Sequence, residues 1–418
     1  MQSNIRTVMD WTALRSEVFD VFTPGPPITE TELFAGRQTI IQRLQDVTRE
    51  KARNAIIYGE RGVGKTSLAS IFHKGLNFTD PHSGIALRTV IEIHINSDTA
   101  DSFDSLWRKV FRRIKRKDAD HTVDLDYPGV IEPDHVFLEL QNFSQNEIPI
   151  IIIDEYDRIG SADCRILMTD TIKALTLSRT NPTIVLVGVA DDIIDLVHDH
   201  ASISPRNLIQ VPMKRMSSGE IKEIIVSRMK KLKMHITDDA LWRIAYFSAG
   251  LPYYAHSLGK YSALRAIEKQ KRSISEEIVL QAIEDCMGDV DYSIVESYTK
   301  ATEYIYSKKN LFREVLAACA LAETNDLGQF SALSVEAPLS AILGETVKVP
   351  SFAFHLNEMC GPDRGSILRK TGERKTYKYH FAEAAMQPYV IMKCLKDNAI
   401  SKLIYQRFNV TRQRGFSI

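Results

Sequence analysis

Gly59-Glu60-Arg61-Gly62-Val63-Gly64-Lys65-Thr66 lies between the apolar run Ala55-Ile56-Ile57-Tyr58 and a helical pattern from Thr66 to Lys74. The octapeptide fits GxxxxGK[ST] in full, with a buried strand before it and a helix start after it. Glycines let the backbone curl until successive N–H groups face one anion, and the helix start adds the positive end of its dipole. Lys65 is expected to bring a point charge to the β and γ phosphates of ATP, and Thr66 a hydroxyl to magnesium. Gly59, Glu60, Arg61, Gly62, Val63, Gly64 and Ser67 complete the expected cradle. A chance glycine-rich turn is the plainer reading, and the strand, loop and helix in sequence argue against it.

Further along, Ile150-Ile151-Ile152-Ile153-Asp154-Glu155 is an apolar strand that ends in two acids. That places the acids at the carboxyl edge of a parallel sheet, where open α/β folds bind their ligands. Asp154 is expected to hold magnesium, and Glu155 to orient and deprotonate an attacking water. Acids that merely solvate a strand end are the alternative, but behind a P-loop the pair completes one site. Val90 to Ile95 alternates as a strand does, Ile148 to Ile153 and Ile184 to Val189 read as buried strands, and Asp104 to Ile114 and Ile166 to Leu177 have helical spacing. Strands alternating with helices imply a parallel sheet covered on both faces.

The chain has 418 residues, more than one ordinary core, with 44% hydrophobic and 25% charged residues. That is the balance of a soluble globular protein of two or three domains. Lys plus Arg equals Asp plus Glu at 53 each, so only local clusters can speak to nucleic acid or membrane. Cys164, Cys286, Cys319, Cys360 and Cys394 have no CxxC spacing, which argues against zinc and for a reducing compartment. With no signal-like N-terminus and no apolar run near membrane length, a cytoplasmic protein with no membrane contact is the expectation. The expected divisions are an arm (1–33) that ends in the extended Thr23-Pro24-Gly25-Pro26-Pro27, an α/β P-loop core (34–212) and a helical lid (213–300). An α+β module (301–400) and a basic tail (401–418) complete the chain. Ser217 to Cys286 reads as three or four helices without a strand.

These motifs resemble an AAA+ ATPase, most of all the group of origin-recognition and cell-division-control initiators and the related STAND signalling ATPases. The resemblance runs from about Phe34 to Tyr389. Phe34-Ala35-Gly36-Arg37 is similar to the box that lies near the adenine in this group, which implies nucleotide contact by Gly36 and Arg37; a turn before the helix at Thr39 to Val47 is the alternative. The strand at Ile184 to Val189 should end in a polar sensor, and Asp191 is the nearest candidate. His200-Ala201-Ser202-Ile203-Ser204-Pro205-Arg206 resembles the stretch that carries an arginine finger, so the resemblance gives Arg206 a catalytic role on a neighbouring subunit's γ-phosphate; a surface loop arginine is the alternative. Gly250-Leu251-Pro252-Tyr253-Tyr254 looks like the GxP segment of STAND proteins, with Pro252 at the nucleotide, or else an ordinary helix start.

Toward the C-terminus, an apolar helix at Leu311 to Ala322, helical segments near Leu339 and Phe352, and a hairpin from Ile367 to Phe381 give the order of a winged helix. Phe352, Leu356 and Met359 form an inward stripe, and the wing carries Arg369, Lys370, Arg374, Lys375 and Lys378. From Gly361 to Ile418 there are twelve Lys or Arg and four acids, an excess of eight positive charges. A basic wing can neutralise DNA phosphates. The third helix, Ser351 to Cys360, has no Lys or Arg, and only Asn357 suits base reading, so a protein interface stays open. Arg108, Lys109, Arg112, Arg113, Lys115, Arg116 and Lys117 form a second basic cluster, either a solvated helix face or a phosphate contact.

Together these readings describe an ATP- and magnesium-dependent AAA+ protein, a slow ATPase and nucleotide-dependent homo-oligomer that engages duplex DNA through a winged helix. The alternative is a STAND-like signalling switch that recognises a protein partner and activates a separate effector protein. A P-loop kinase needs an acceptor site for which no cluster is visible.

Overall fold

The computed structural model describes residues 2–76, 78, 88–116, 120–177, 182–190, 196–197, 208–303, 311–325, 327–372, 376–401, 403–404 and 407–408. They fall in two compact units, one of residues 27–60 and 64–213, the other of 1–26, 61–63 and 214–418. The chain opens with helix α1 (Gln2–Val21), which belongs to the second unit.

The first unit contains α2 (Gln38–Arg49), β1 (Asn54–Gly59), α3 (Lys65–Ile71), β2 (Thr89–Asn96), α4 (Phe103–Phe111), α5 (Pro133–Gln141), β3 (Glu147–Asp154), α6 (Ala162–Leu177), β4 (Thr183–Val189) and β5 (Leu208–Pro212). The five strands run parallel in the order β2-β3-β4-β1-β5. Ile150 to Ile153 on the inner strand β3 are wholly buried. Each such side chain removed from water contributes about 1.5–3 kcal/mol, so this strand is a main contributor to the sheet's core. The edge strand β2 is different. Ile91, Ile93 and Ile95 face the core, while Glu92, His94 and Asn96 alternate onto the other face. A capping box, Ser102 with Ser105, starts α4, whose Phe103, Leu106, Trp107, Val110 and Phe111 pack under the sheet. The helix expected from Thr66 to Lys74 ends at Ile71 and tightens into a 3-10 turn over Phe72–Gly75. The helix expected to Ile114 ends at Phe111.

The second unit continues with α7 (Ser218–Lys231), β6 (His235–Ile236), α8 (Asp238–Phe247), α9 (Pro252–Glu268), β7 (Ser273–Ile274), α10 (Glu276–Gly288), α11 (Tyr292–Thr302), α12 (Phe312–Leu321), β8 (Phe330–Ser331), α13 (Ala332–Leu343), α14 (Val349–Glu358), β9 (Leu368–Thr371), β10 (Lys378–Phe381) and α15 (Met386–Lys396). The stretch read as strand-free holds β6 and β7, which pair in parallel over two residues each, too short for alternation to show in the sequence. Helix α1 packs on α9, where Leu14, Val18, Val21 and Phe22 are buried. A Cβ on Gly259 would come 2.3 Å from the Phe22 ring, so glycine is what lets the two helices meet. The wing strands β9 and β10 pair antiparallel, with Tyr379 opposite Lys370, and β8 joins as a third strand beyond the expected hairpin. Phe352, Leu356 and Met359 are fully buried, the expected inward stripe. Among the described residues no helix is long and apolar enough to cross a membrane.

Candidate nucleotide site and basic wing

The loop between β1 and α3 is built on positive backbone angles: φ is +149° at Gly59, +84° at Gly62 and +94° at Gly64. Only glycine takes such angles without strain. At Gly59 a Cβ would also come 2.3 Å from the Met213 carbonyl oxygen, so β1 and the exit of β5 can close on each other only with hydrogen there. Met213 N–H donates to Tyr58 O at 2.6 Å beside this contact. Arg61 and Gly62 are exposed and Val63 is buried. Lys65 opens α3 and is itself buried, with Nζ donating to Gly59 O at 3.0 Å and Glu60 O at 2.8 Å. A buried ammonium held by loop carbonyls keeps its charge at the centre of the loop rather than in solvent.

Asp154 ends β3 and is 3% exposed. Its Oδ1 accepts the Glu155 N–H at 2.7 Å, and the Thr66 hydroxyl is a neighbour that favours the ionised carboxylate. Burial pushes the Asp154 carboxyl up, but His94, the Glu155 N–H and the Thr66 hydroxyl outweigh it and hold the group below the usual carboxylate range. Asp154 is therefore ionised at neutral pH, in contact with Thr66. Two hard oxygen donors fit magnesium, which takes one or two protein oxygens and completes its shell with phosphates and water. Among the described residues no three His, Cys, Asp or Glu side chains gather into a metal cage. Glu155 stands at φ +54°, ψ +32°, a left-handed conformation, and its Oε2 accepts from Arg158 Nη1 at 2.8 Å.

Gly36 and Arg37 belong to the same compact unit as Lys65 and Asp154. Gly36 and Arg37 are both left-handed and buried, and Arg37 caps α2. The segment leading to them is tied to the P-loop helix and the turn after it: Ser67 Oγ accepts the Ile28 N–H at 3.0 Å, and Lys74 Nζ donates to Thr29 O at 2.6 Å. Pro252 is the first residue of α9, in the other unit. There Gly250, at φ +77°, has its carbonyl on the Met216 N–H at 2.9 Å, and a Cβ would meet Met216 O at 2.6 Å. Glycine before this proline thus has a packing reason of its own. Asp191 and Arg206 lie outside the described residues, as do Lys117, Arg374 and Lys375.

Four residues near the site escape the sequence reading. His94 sits beside Asp154, with Nε2 at 3.7 Å from Oδ2, and Glu92 links it to His73. Asp157 accepts the Val189 N–H at 2.8 Å and so caps the end of β4. The one local signal was the spacing of Glu92, His94 and Asn96 along a strand.

The basic cluster at α4 is largely neutralised within its own unit. Arg108 pairs with Asp104, Lys109 with Asp98 and Asp101, Arg112 with Asp124, and Arg116 with Asp126 and the buried Glu139. This is the solvated, ion-paired face rather than a phosphate stripe. The wing keeps its charge outward: Arg369, Lys370 and Lys378 are exposed. Lys370 donates to Asn357 Oδ1 at 3.1 Å and lies over the Tyr377 ring, which ties the wing to α14. The outer face of α14 carries Ser351, Phe354, Asn357 and Glu358, with Phe354 54% exposed.

Residues 48–196 match the family described as AAA domain. No curated protein matches the sequence. Among solved structures, the Aeropyrum pernix ORC2 protein in ADPNP and ADP complexes is similar with a TM-score of 0.50 at 15% identity, over 93% of this chain and 98% of that one. The Aeropyrum pernix ORC1 protein in complex with DNA gives 0.47 at 15% identity over 92% and 97%. Cdc6p from Pyrobaculum aerophilum gives 0.45 at 14% identity over 91% and 99%. The match to the AAA domain family covers residues 48–196, and the chain's fold is shared, over nearly its whole length, with the Aeropyrum pernix ORC2 protein.

Proposed function

We propose that this protein binds ATP with magnesium, hydrolyses it slowly, and couples nucleotide state to homo-oligomer assembly and to duplex DNA held through its wing. The observation that carries the reading is the grouping of buried Lys65 and Asp154 with half-buried Thr66 at the carboxyl edge of a parallel sheet. Lys65 and the loop amides bind the β and γ phosphates. Thr66 and Asp154 would hold magnesium, which would supply positive charge to neutralise the phosphates. Glu155, exposed one residue beyond the sheet, orients a water and takes its proton. Gly36, Arg37 and Pro252 contact the nucleotide, and Arg206 completes a neighbour's site. Arg369, Lys370, Arg374, Lys375 and Lys378 neutralise DNA phosphates.

The test of the site is Lys65→Ala. The variant should lose ATP binding in a titration calorimeter and keep its fold by circular dichroism. Wild-type affinity in the variant would remove the site.

A second reading has its own support. An exposed Phe354 beside Glu358, on a helix with no cation, suits a protein surface better than a DNA groove. On that reading the chain is a STAND-like switch that recognises a partner and activates a separate effector. Binding to random duplex DNA that weakens steeply with salt favours the first reading; salt-insensitive absence of binding favours the second.

A further inference from the structure

We propose that His94 is a positioning residue for the magnesium site: it fixes the Asp154 carboxylate so that, with Thr66, one oxygen is presented to the ion. The inference rests on the magnesium–ATP reading above and adds a residue to it. Strands β2 and β3 run parallel with Asn96 opposite Asp154 and His94 opposite Ile152. Side chains two apart share a face, so His94 projects on the same side as Asp154. Its Nε2 lies 3.7 Å from Asp154 Oδ2, an ion-pair distance, and finds no partner within hydrogen-bond range. The carboxylate is the polar group it faces.

His94 is in turn held from behind. Its Nδ1 is 3.8 Å from Glu92 Oε1, and Glu92 Oε2 meets His73 Nε2 at 2.9 Å. His73 is 7% exposed and comes from the 3-10 turn that follows α3. A file of four groups, His73, Glu92, His94 and Asp154, therefore runs from the end of the P-loop helix, along the edge strand, to the expected magnesium ligand. With Oδ1 committed to the Glu155 N–H and Oδ2 facing His94, the Asp154 carboxylate has little freedom to rotate. Partners that orient a ligating group commonly contribute about 10–100-fold to metal affinity.

A merely structural role predicts something else. If the file only pins β2 to the helix side of the sheet, removing His94 lowers stability and weakens ATP equally with and without magnesium. The experiment uses the full chain and a fluorescent ATP analogue, titrated in magnesium and again in EDTA. In His94→Ala the affinity in EDTA should stay within about twofold of wild type, while the gain conferred by magnesium falls by about tenfold or more. His94→Gln, whose amide N–H reaches to the same place, should restore most of that gain. If His94→Ala does not fold, His94→Asn, too short to reach, carries the same comparison. An undiminished magnesium gain in the Ala or Asn variant overturns the proposal, and so does an equal loss in both titrations. Failure of the underlying reading is separate: wild-type protein would then bind no analogue, and Lys65→Ala would change nothing.

Discussion

Glu155 occupies a left-handed backbone position that costs a non-glycine residue about 1–3 kcal/mol, and its carboxylate is exposed while that of Asp154 is buried. Two neighbouring acids thus stand in different surroundings, which suits one to hold an ion and the other to meet water. Glu155→Gln should keep ATP binding and lose hydrolysis, because Asp154 and Thr66 are untouched; phosphate release at the wild-type rate would show that Glu155 is not the base. A second expectation concerns His256, which is 2% exposed and accepts the Thr23 N–H on Nδ1 at 3.1 Å. Burial, with a smaller contribution from Arg228, pushes it down from 6.5 to about 3. The folded protein keeps it neutral, while the unfolded chain takes up a proton below about pH 6.5, so stability falls as pH falls between those values. Over the window from pH 7 to pH 5 the loss from this group is about 2 kcal/mol. Urea midpoints at the two pH values should therefore differ less in His256→Asn than in wild type, and equal differences would exclude His256 as a cause. Lys65, Thr66 and Asp154 were legible because their motifs have fixed spacing. His94 was not, since the two stand 60 positions apart and leave no local trace of their contact.

At the scale of elements, the buried strands were readable from unbroken β-branched runs, whereas β5 is interrupted by Gln210 and ends at Pro212, and β6 and β7 are two residues long. Charge was the least legible feature. The cations in and after α4 looked like a stripe until acids from 10 to 23 residues away paired with Arg112 and Arg116, while Arg369, Lys370 and Lys378 of the wing remain exposed. The wing is therefore where the salt dependence of DNA binding should lie. Each neutralised phosphate steepens the log–log slope by about 0.9. Reversing Arg369, Lys370, Arg374 and Lys375 to Glu should weaken duplex binding by orders of magnitude and flatten the slope by about three or more. Sequence preference should change little, since phosphate contacts position rather than specify. Fluorescence anisotropy of a labelled duplex over a salt series checks this. Unchanged affinity and slope would take the wing out of DNA binding and favour the partner-binding switch.

For the whole molecule, the second unit is tied together by contacts that no window of sequence reveals. Tyr254 donates to Ala385 O, 131 residues away, and Arg215 to Gln387, 172 residues away, so lid helices and C-terminal module pack as one body. The remaining question is how many chains make one working site. If Arg206 acts on a neighbour's γ-phosphate, each site takes Lys65 from one chain and Arg206 from the next. Lys65→Ala then destroys the chain's own site but leaves its finger intact. Arg206→Ala keeps its own site and leaves the neighbour without a finger. Each variant alone is inactive, yet in a mixture one kind of interface joins an intact Lys65 to an intact Arg206. For random two-subunit contacts in an equal mixture, about a quarter of the interfaces have this arrangement, so phosphate release should recover to a minor but measurable fraction of wild type. Sedimentation with and without ATP shows whether mixed assemblies form at all. If they form and every ratio stays inactive, Arg206 does not act across subunits. If Arg206→Ala alone hydrolyses ATP at the wild-type rate, it is an ordinary surface arginine.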